Sequence, residues 1–231
     1  TGKQLHRPSD DPNGVSKAMN LKSALAANEQ YERNTNEATL WLDETDQTIN
    51  DMVNVMQRVR ELAVQGSTDT LSDPDKAIIA TEVDQLTEQI RTFANSTVNG
   101  NSLFNGQKTK ESPYPDKDSY KTDTFDTGAK SFTIADGVVV QTNVTADKLF
   151  GNAADNTNLF QTLNNLADGL RSGTPISLEN IDKGMERILS TQAEAGAKQN
   201  RVEAVANRIK DSSIELQSML SKIEDVDYAE A

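Results

Sequence analysis

Apolar residues recur every three or four positions along two long stretches of this chain, one near each end. The first runs Leu21, Ala24, Asn28, Tyr31, Thr35, Ala38, Leu42, Thr45, Ile49, Met52, Met56, Val59 and Ala63, and ten of these thirteen are apolar. That is the period of one helix face, and no Pro or Gly interrupts residues 15–65. A helix of ~50 residues is ~75 Å long, more than a compact domain covers. Asp11 can accept from the free N–H groups of its first turn, Pro12 suits the first helical position, and Gly66 is the expected stop. The second long stretch runs Ile181, Met185, Ile188, Gln192, Ala195, Gln199, Val202, Ala206, Ile209, Ser213, Leu216, Leu220, Ile223 and Asp227, with Ser177 as its expected N-cap. A sustained spacing of this kind belongs to long-helix bundles. Ala193, Ala195, Gly196 and Ala197 are small enough to admit a neighbouring helix. The two seams are expected to pack together, residues 42–59 against residues 202–220.

The middle of the chain is different. Asp73-Pro74 opens a second helix with the stripe Ile79, Val83, Leu86, Ile90 and Phe93. Residues 95–106 break the pattern with Asn, Gly and Ser and read as turn or loop. Residues 108–121 are polar, and Pro113 and Pro115 exclude a helix there. Residues 131–135 and 138–144 have strand composition, joined by the hairpin signal Asp136-Gly137. One or two further strands are expected near residues 120–125. Helical pattern returns at Leu159, Phe160, Leu163, Leu166 and Leu170, ended by Gly169, Gly173 and Pro175. The expected fold is therefore mainly α: an elongated bundle of long antiparallel helices with a small β-rich insert domain, α+β overall. The helical domain is discontinuous, over 1–107 and 157–231. The insert spans 108–156 and is expected to be separable.

Charge sharpens this. The net charge is −13, which argues against nucleic acid and against an anionic membrane surface as partners. There is no cysteine, which excludes a disulfide, a thiolate nucleophile and a cysteine-rich metal site. No apolar run approaches the ~18 residues of a membrane span. The polar opening residues lack the apolar core of a signal peptide. Aromatic residues are only 5%, so the core must be built from aliphatic side chains and alanine, as in thin helical bundles.

Little here supports catalysis. His6 is the only histidine, so a Ser-His-Asp triad would depend on it and a two-histidine zinc motif cannot form. Ser9-Asp10-Asp11 lacks the spacing of a calcium loop, and capping explains its carboxylates better. Glu224, Asp225 and Asp227 could pair as acid and base, yet they read as a helix end with no pocket-forming segment beside them. No glycine-rich phosphate loop occurs. Asn143-Val144-Thr145 is formally a glycosylation sequon. Asn200, Arg201 and Glu203 read either as a solvated face with local ion pairing or as an interhelical clasp. No enzyme, cofactor or metal is expected.

Several motifs, taken in order, carry a resemblance. Gly2-Lys3 with Arg7-Pro8-Ser9-Asp10-Asp11-Pro12 resembles the amino-terminal signature of the hook–filament junction branch of the bacterial flagellin family. Asn99-Gly100, Leu103-Phe104 and Asn105-Gly106 are similar to that family's Asn-Gly-rich turn after the second helix. Gly196, Asn200-Arg201 and Glu203 resemble the middle of its carboxy-terminal helix. Ser221, Ile223-Glu224-Asp225, Asp227 and Tyr228-Ala229-Glu230 resemble the end of that helix. The insert matches nothing diagnostic.

The resemblance implies a structural flagellar subunit joining the hook region to the filament. Hook-associated protein 1 and flagellin would be its partners, self-assembly its mode in the longer subunit, and a flagellar export chaperone a further partner. It implies an extracellular location, reached through the flagellar secretion channel without a cleaved leader. Arg7, Pro8, Ser9, Asp10, Asp11, Pro12, Asn200, Arg201, Glu203, Glu224, Asp225, Asp227 and Tyr228 become the candidate interface residues. Flagellin itself is the alternative, although flagellins usually carry an Asp-Asp-Ala-Ala type sequence where this chain has Asp10-Asp11-Pro12-Asn13. A secreted coiled-coil module of an export apparatus is a second alternative. The family's outermost terminal helices are not matched within the chain, so it is expected to correspond to a subunit core that is monomeric in dilute solution.

Overall fold

A computed structural model describes residues 12–68, 71–122, 124–154 and 157–224. The protein is mainly α with a small β region, as the periodicity predicts. Two long helices dominate, α1 (Pro12–Gly66) and α5 (Leu178–Glu224). Between them lie α2 (Asp73–Ala94), β1 (Thr97–Val98), β2 (Asn101–Ser102), a 3-10 turn (Ser119–Lys121), β3 (Ser131–Ala135), β4 (Val138–Gln141), α3 (Ala146–Phe150) and α4 (Leu159–Ser172). The strands form two separate two-stranded sheets, β1 with β2 and β3 with β4.

The chain divides into two compact units. Among the described residues the smaller holds 12–39, 132–140 and 200–224, and the larger holds 40–131 and 141–199. This division runs through the expected insert rather than around it. Residues 132–140, the β3–β4 hairpin, group with the smaller unit, and the rest of the insert groups with the larger.

The larger unit owns one continuous apolar core. Ile49, Met52, Met56 and Val59 of α1 pack with Ile79, Val83 and Ile90 of α2, Leu163, Leu166 and Leu170 of α4, and Ile181 and Ile188 of α5. Side chains of the presumed insert are part of it: Tyr114, Val144, Leu149 and Phe150 are buried in the same core. The Tyr114 ring lies 4.6 Å from that of Phe160 and 5.4 Å from that of Phe150. The segment expected as a separable insert is thus tied to the core of the larger unit through these side chains. Polar sequence with two prolines rules out helix but does not prevent single aromatic anchors from reaching the core.

Polar pairs set how α1 meets α5 in this unit. Arg60 Nε donates to Asp182 Oδ1 at 2.6 Å, Gln192 Nε2 to Asp46 Oδ1 at 3.4 Å, and Gln199 Nε2 to Asp43 Oδ1 at 2.7 Å. Partner numbers rise on one helix as they fall on the other, so the pairing is antiparallel. Residues 42–59 face α5 across 182–199, and residues 202–220 belong to the smaller unit. The register expected from the seams is thus corrected. Two apolar stripes of equal period fit at many offsets, and specific polar partners choose among them.

Local chemistry explains most element ends. Ser72, rather than Asp73, caps α2: its hydroxyl accepts from the Asp75 backbone N–H. Asn158 caps α4 by accepting from Phe160 N–H at 2.9 Å, and Gly173 ends it in the left-handed region at φ 71°. Ser177 Oγ accepts from Asn180 N–H at the start of α5, as expected. Gly66 is not a left-handed stop; it is the last residue of α1. A Cβ there would overlap Leu170, so glycine serves close packing instead. The described residues of 120–125 do not form strands. A 3-10 turn stands there, held by Lys121 Nζ donating to Asp118 Oδ1 at 2.6 Å.

Two elements went unread in the sequence. Residues 95–106 contain a β-hairpin, with Thr97 opposite Ser102 and Val98 opposite Asn101. Its two turn residues, Asn99 and Gly100, both have positive φ, at 50° and 72°, as a type I′ turn requires. The short helix α3 follows β4, which ends at Gln141 rather than at Val144.

In the smaller unit Ala18 and Ala38 of α1, Val202 and Ile209 of α5, and Ile134, Ala135 and Val140 of the hairpin are buried. Asn34 Nδ2 donates to Thr133 O at 2.7 Å and ties the hairpin to α1.

Candidate assembly surfaces

The smaller unit carries every candidate from the sequence that lies among the described residues. Asn200, Arg201 and Glu203 all face solvent on α5, flanking Val202, which is fully buried. Consecutive helical residues point about 100° apart, so one turn offers a buried anchor with a polar surface around it. Among the described residues none of these three side chains makes a hydrogen bond or an ion pair. Glu224 is different: it forms an ion pair with Lys22 of α1. Pro12 begins α1. Arg7, Pro8, Ser9, Asp10, Asp11, Asp225, Asp227 and Tyr228 lie outside the described residues, as does His6.

The helix pairing in this unit is partly polar. Asn28 Nδ2 lies 3.2 Å from both Ser212 Oγ and Ser213 Oγ. Buried Thr35 returns its hydroxyl to Tyr31 O at 2.6 Å, the usual way a threonine is satisfied inside a helix. Beyond this polar section Leu21, Met219 and Ile223 floor a groove of about 460 Å³, rimmed by Lys17, Asn20 and Lys222. Met19 and Ile214 are also exposed, at 67% and 59%. Sequence reasoning missed Met19, Ile214 and Met219 because they lie out of phase with the seams. Their being out of phase is the signal that could have found them.

The larger unit presents charged surface made of paired groups. Arg171 pairs with Asp84 across α4 and α2, and its pKa is raised chiefly by that hydrogen bond. Glu194 lies between Lys198 at 2.9 Å and Lys148 at 3.4 Å, and Lys198 foremost holds its carboxyl below the usual range. With Tyr120, Phe160 and Lys117, Arg171 and Asp84 line a cleft of about 420 Å³ between α2 and α4.

The sequon is closed. Asn143 is 1% exposed and Thr145 3%. The Asn143 amide is consumed internally: Oδ1 accepts from Lys130 N–H at 2.9 Å and from Gln141 Nε2 at 3.1 Å, and Nδ2 donates to Gly128 O at 2.8 Å. No described helix is long and apolar enough to cross a membrane.

Residues 1–109 match the bacterial flagellin N-terminal helical region, and residues 178–231 the bacterial flagellin C-terminal helical region. The chain is 27% identical to the flagellar hook-associated protein 3 of Escherichia coli, over 99% of this chain and 80% of that protein. It is 26% identical to a flagellin of Halalkalibacterium halodurans, over 99% of this chain and 76% of that one. Among solved structures, flagellar hook-associated protein 3 from Legionella pneumophila shares the fold at a TM-score of 0.79, with 16% identity, covering 88% of this chain and 98% of that one.

Proposed function

Because this chain belongs to the bacterial flagellin family, we propose that it is a structural subunit of the flagellum standing at the junction between hook and filament. The observation that carries this reading is the end-to-end similarity to hook-associated protein 3, which spans both helical ends and the middle together. The role is mechanical. Long helices provide stiff, repeatable surfaces, and the exposed polar turn at Asn200, Arg201 and Glu203 offers a contact whose geometry is set by buried Val202. The partners would be hook-associated protein 1 on one side and flagellin on the other, with an export chaperone before assembly. Catalysis has no part in it. The subunit would work outside the cell, reached through the flagellar export channel.

Flagellin is the second reading, favoured by the similarity to filament proteins over nearly the whole chain. A photo-crosslinking residue placed at Arg201 in intact flagella separates the two. Crosslinks to flagellin and to a hook-associated protein, confined to the filament base, support the junction. Crosslinks between copies along the filament length support flagellin, and no crosslink to any flagellar protein overturns both.

A further inference from the structure

We propose that Asn99 is a self-modifying site, at which the backbone nitrogen of Gly100 converts the asparagine side chain to a mixture of aspartate and isoaspartate. The chain has three Asn-Gly pairs, Asn13-Gly14, Asn99-Gly100 and Asn105-Gly106, and the fold treats them differently. Asn13 is exposed in the first turn of the helix α1 and is not without a partner. Asn105 is 2% exposed; its Oδ1 accepts from Asp126 N–H at 2.8 Å and its Nδ2 donates to Glu111 O at 3.0 Å. Asn99 is exposed at the tip of the β1–β2 hairpin. Among the described residues its side-chain amide and the Gly100 N–H make no hydrogen bond. Gly100 has open space where a side chain would stand, so no distant residue crowds the turn on that side.

The chemistry needs no partner but water. The Gly100 N–H loses its proton, and the nitrogen attacks Asn99 Cγ. The new N–Cγ bond closes a succinimide as the Cγ–Nδ2 bond breaks, and ammonia leaves with the proton. Water then opens the ring. Cleavage of the new bond leaves aspartate, and cleavage at the original peptide carbonyl leaves isoaspartate, with one more methylene in the main chain. No electrons are gained or lost.

Two neighbours favour the first step. Charge left on the deprotonated Gly100 nitrogen spreads onto the Asn99 carbonyl oxygen, and Asn101 Nδ2 already donates to that oxygen at 3.3 Å. Lys110 Nζ lies 3.3 Å from Gly100 O and adds positive charge to the same turn. A donor on the oxygen where charge develops, with a cation in the same turn, lowers the barrier. Asn99 and Gly100 are the exposed tip of the hairpin, and fluctuation of that tip alone lets the turn reach the cyclisation geometry while Val98 stays in the core. The consequence is local. Isoaspartate adds a main-chain methylene to a two-residue turn and disturbs the Val98–Asn101 pairing beside it.

Peptide mapping of the folded chain, with aspartate and isoaspartate resolved by mass and retention, tests this. During incubation Asn99 converts first, faster as the pH rises from neutral to mildly alkaline. Asn105 and Asn13 lag, and in urea all three convert at similar rates. Lys110→Gln and Asn101→Ala each slow Asn99 several-fold in the folded chain, leave the urea rates unchanged, and shift the onset of its pH dependence upward; Lys110→Arg restores it. Conversion of Asn105 or Asn13 as fast as Asn99, or silence at Asn99 in the folded chain, overturns the proposal. Unchanged rates in both positioning variants overturn the part assigned to Asn101 and Lys110.

Discussion

Arg60 on α1 holds Asp182 on α5 through a hydrogen bond of 2.6 Å between Nε and Oδ1. The pair is half exposed, yet it marks the register of the two longest helices within the larger unit. The same hydrogen bond, followed by the Arg60 charge, holds the Asp182 carboxyl below the usual carboxylate range. A group with a depressed folded pKa stabilises the fold above its unfolded pKa and loses that contribution as pH falls through the folded value. Asp182→Asn should therefore lower the melting temperature slightly at neutral pH, and the difference from the parent should vanish in strong acid. Melting curves across that range check the sign; a difference that grows on acidification would contradict it.

Gly66→Ala should destabilise the protein, although glycine to alanine inside a helix ordinarily stabilises by about 0.5–1 kcal/mol. The new methyl would meet Leu170, itself buried in the core of the larger unit. Overpacking of this kind costs about 1–3 kcal/mol. Chemical denaturation should show the loss, and adding Leu170→Ala should recover part of the Gly66→Ala effect.

Ile209→Ala should cost about 2–5 kcal/mol, the range for truncating a buried aliphatic side chain. Ile209 is 5% exposed and is one of few large apolar side chains buried in the smaller unit. If hydrogen exchange reports the two units separately, protection should fall in residues 12–39 and 200–224 before it falls in the larger unit.

Deleting residues 110–150 through a short Gly-Ser bridge should broaden the melting transition and lower helicity. The deletion removes Tyr114, Leu149 and Phe150 from the core shared with Phe160 and Leu163. An unchanged cooperative transition would mean that the aromatic contacts contribute little.

Asn143→Ala should destabilise by about 1–3 kcal/mol, because the Lys130 N–H and the Gly128 carbonyl lose a buried partner. Expression in a glycosylating host should leave folded Asn143 unmodified, which intact mass would show.

Much of this protein was legible in its sequence. Stripes of period 3.6 predict α1, whose residues 15–65 hold no Gly or Pro, and α5, which holds no Pro, because a long helix needs only local hydrogen bonds and one apolar face. Caps such as Ser177 were equally local. Asn99-Gly100 was as strong a hairpin signal as Asp136-Gly137, and the hairpin there was missed only because its strands are two residues long. The resemblance to the flagellin family was legible too, since it rests on ordered motifs at both ends.

Tertiary structure alone decided the rest. The offset between α1 and α5 depends on Arg60 meeting Asp182 and Gln199 meeting Asp43, and no periodicity encodes such pairs. Gly66 reads as a stop in one dimension and is a contact with Leu170 in three. Tyr114 and Phe150 lie in polar, strand-like sequence and still complete the core, because burial depends on neighbours distant in the chain. The exposure of Asn200, Arg201 and Glu203 around buried Val202, and the difference between exposed Asn99 and buried Asn105, also follow from packing. Sequence determines what a segment can form locally; which face is covered, and by what, is settled only when the segments meet.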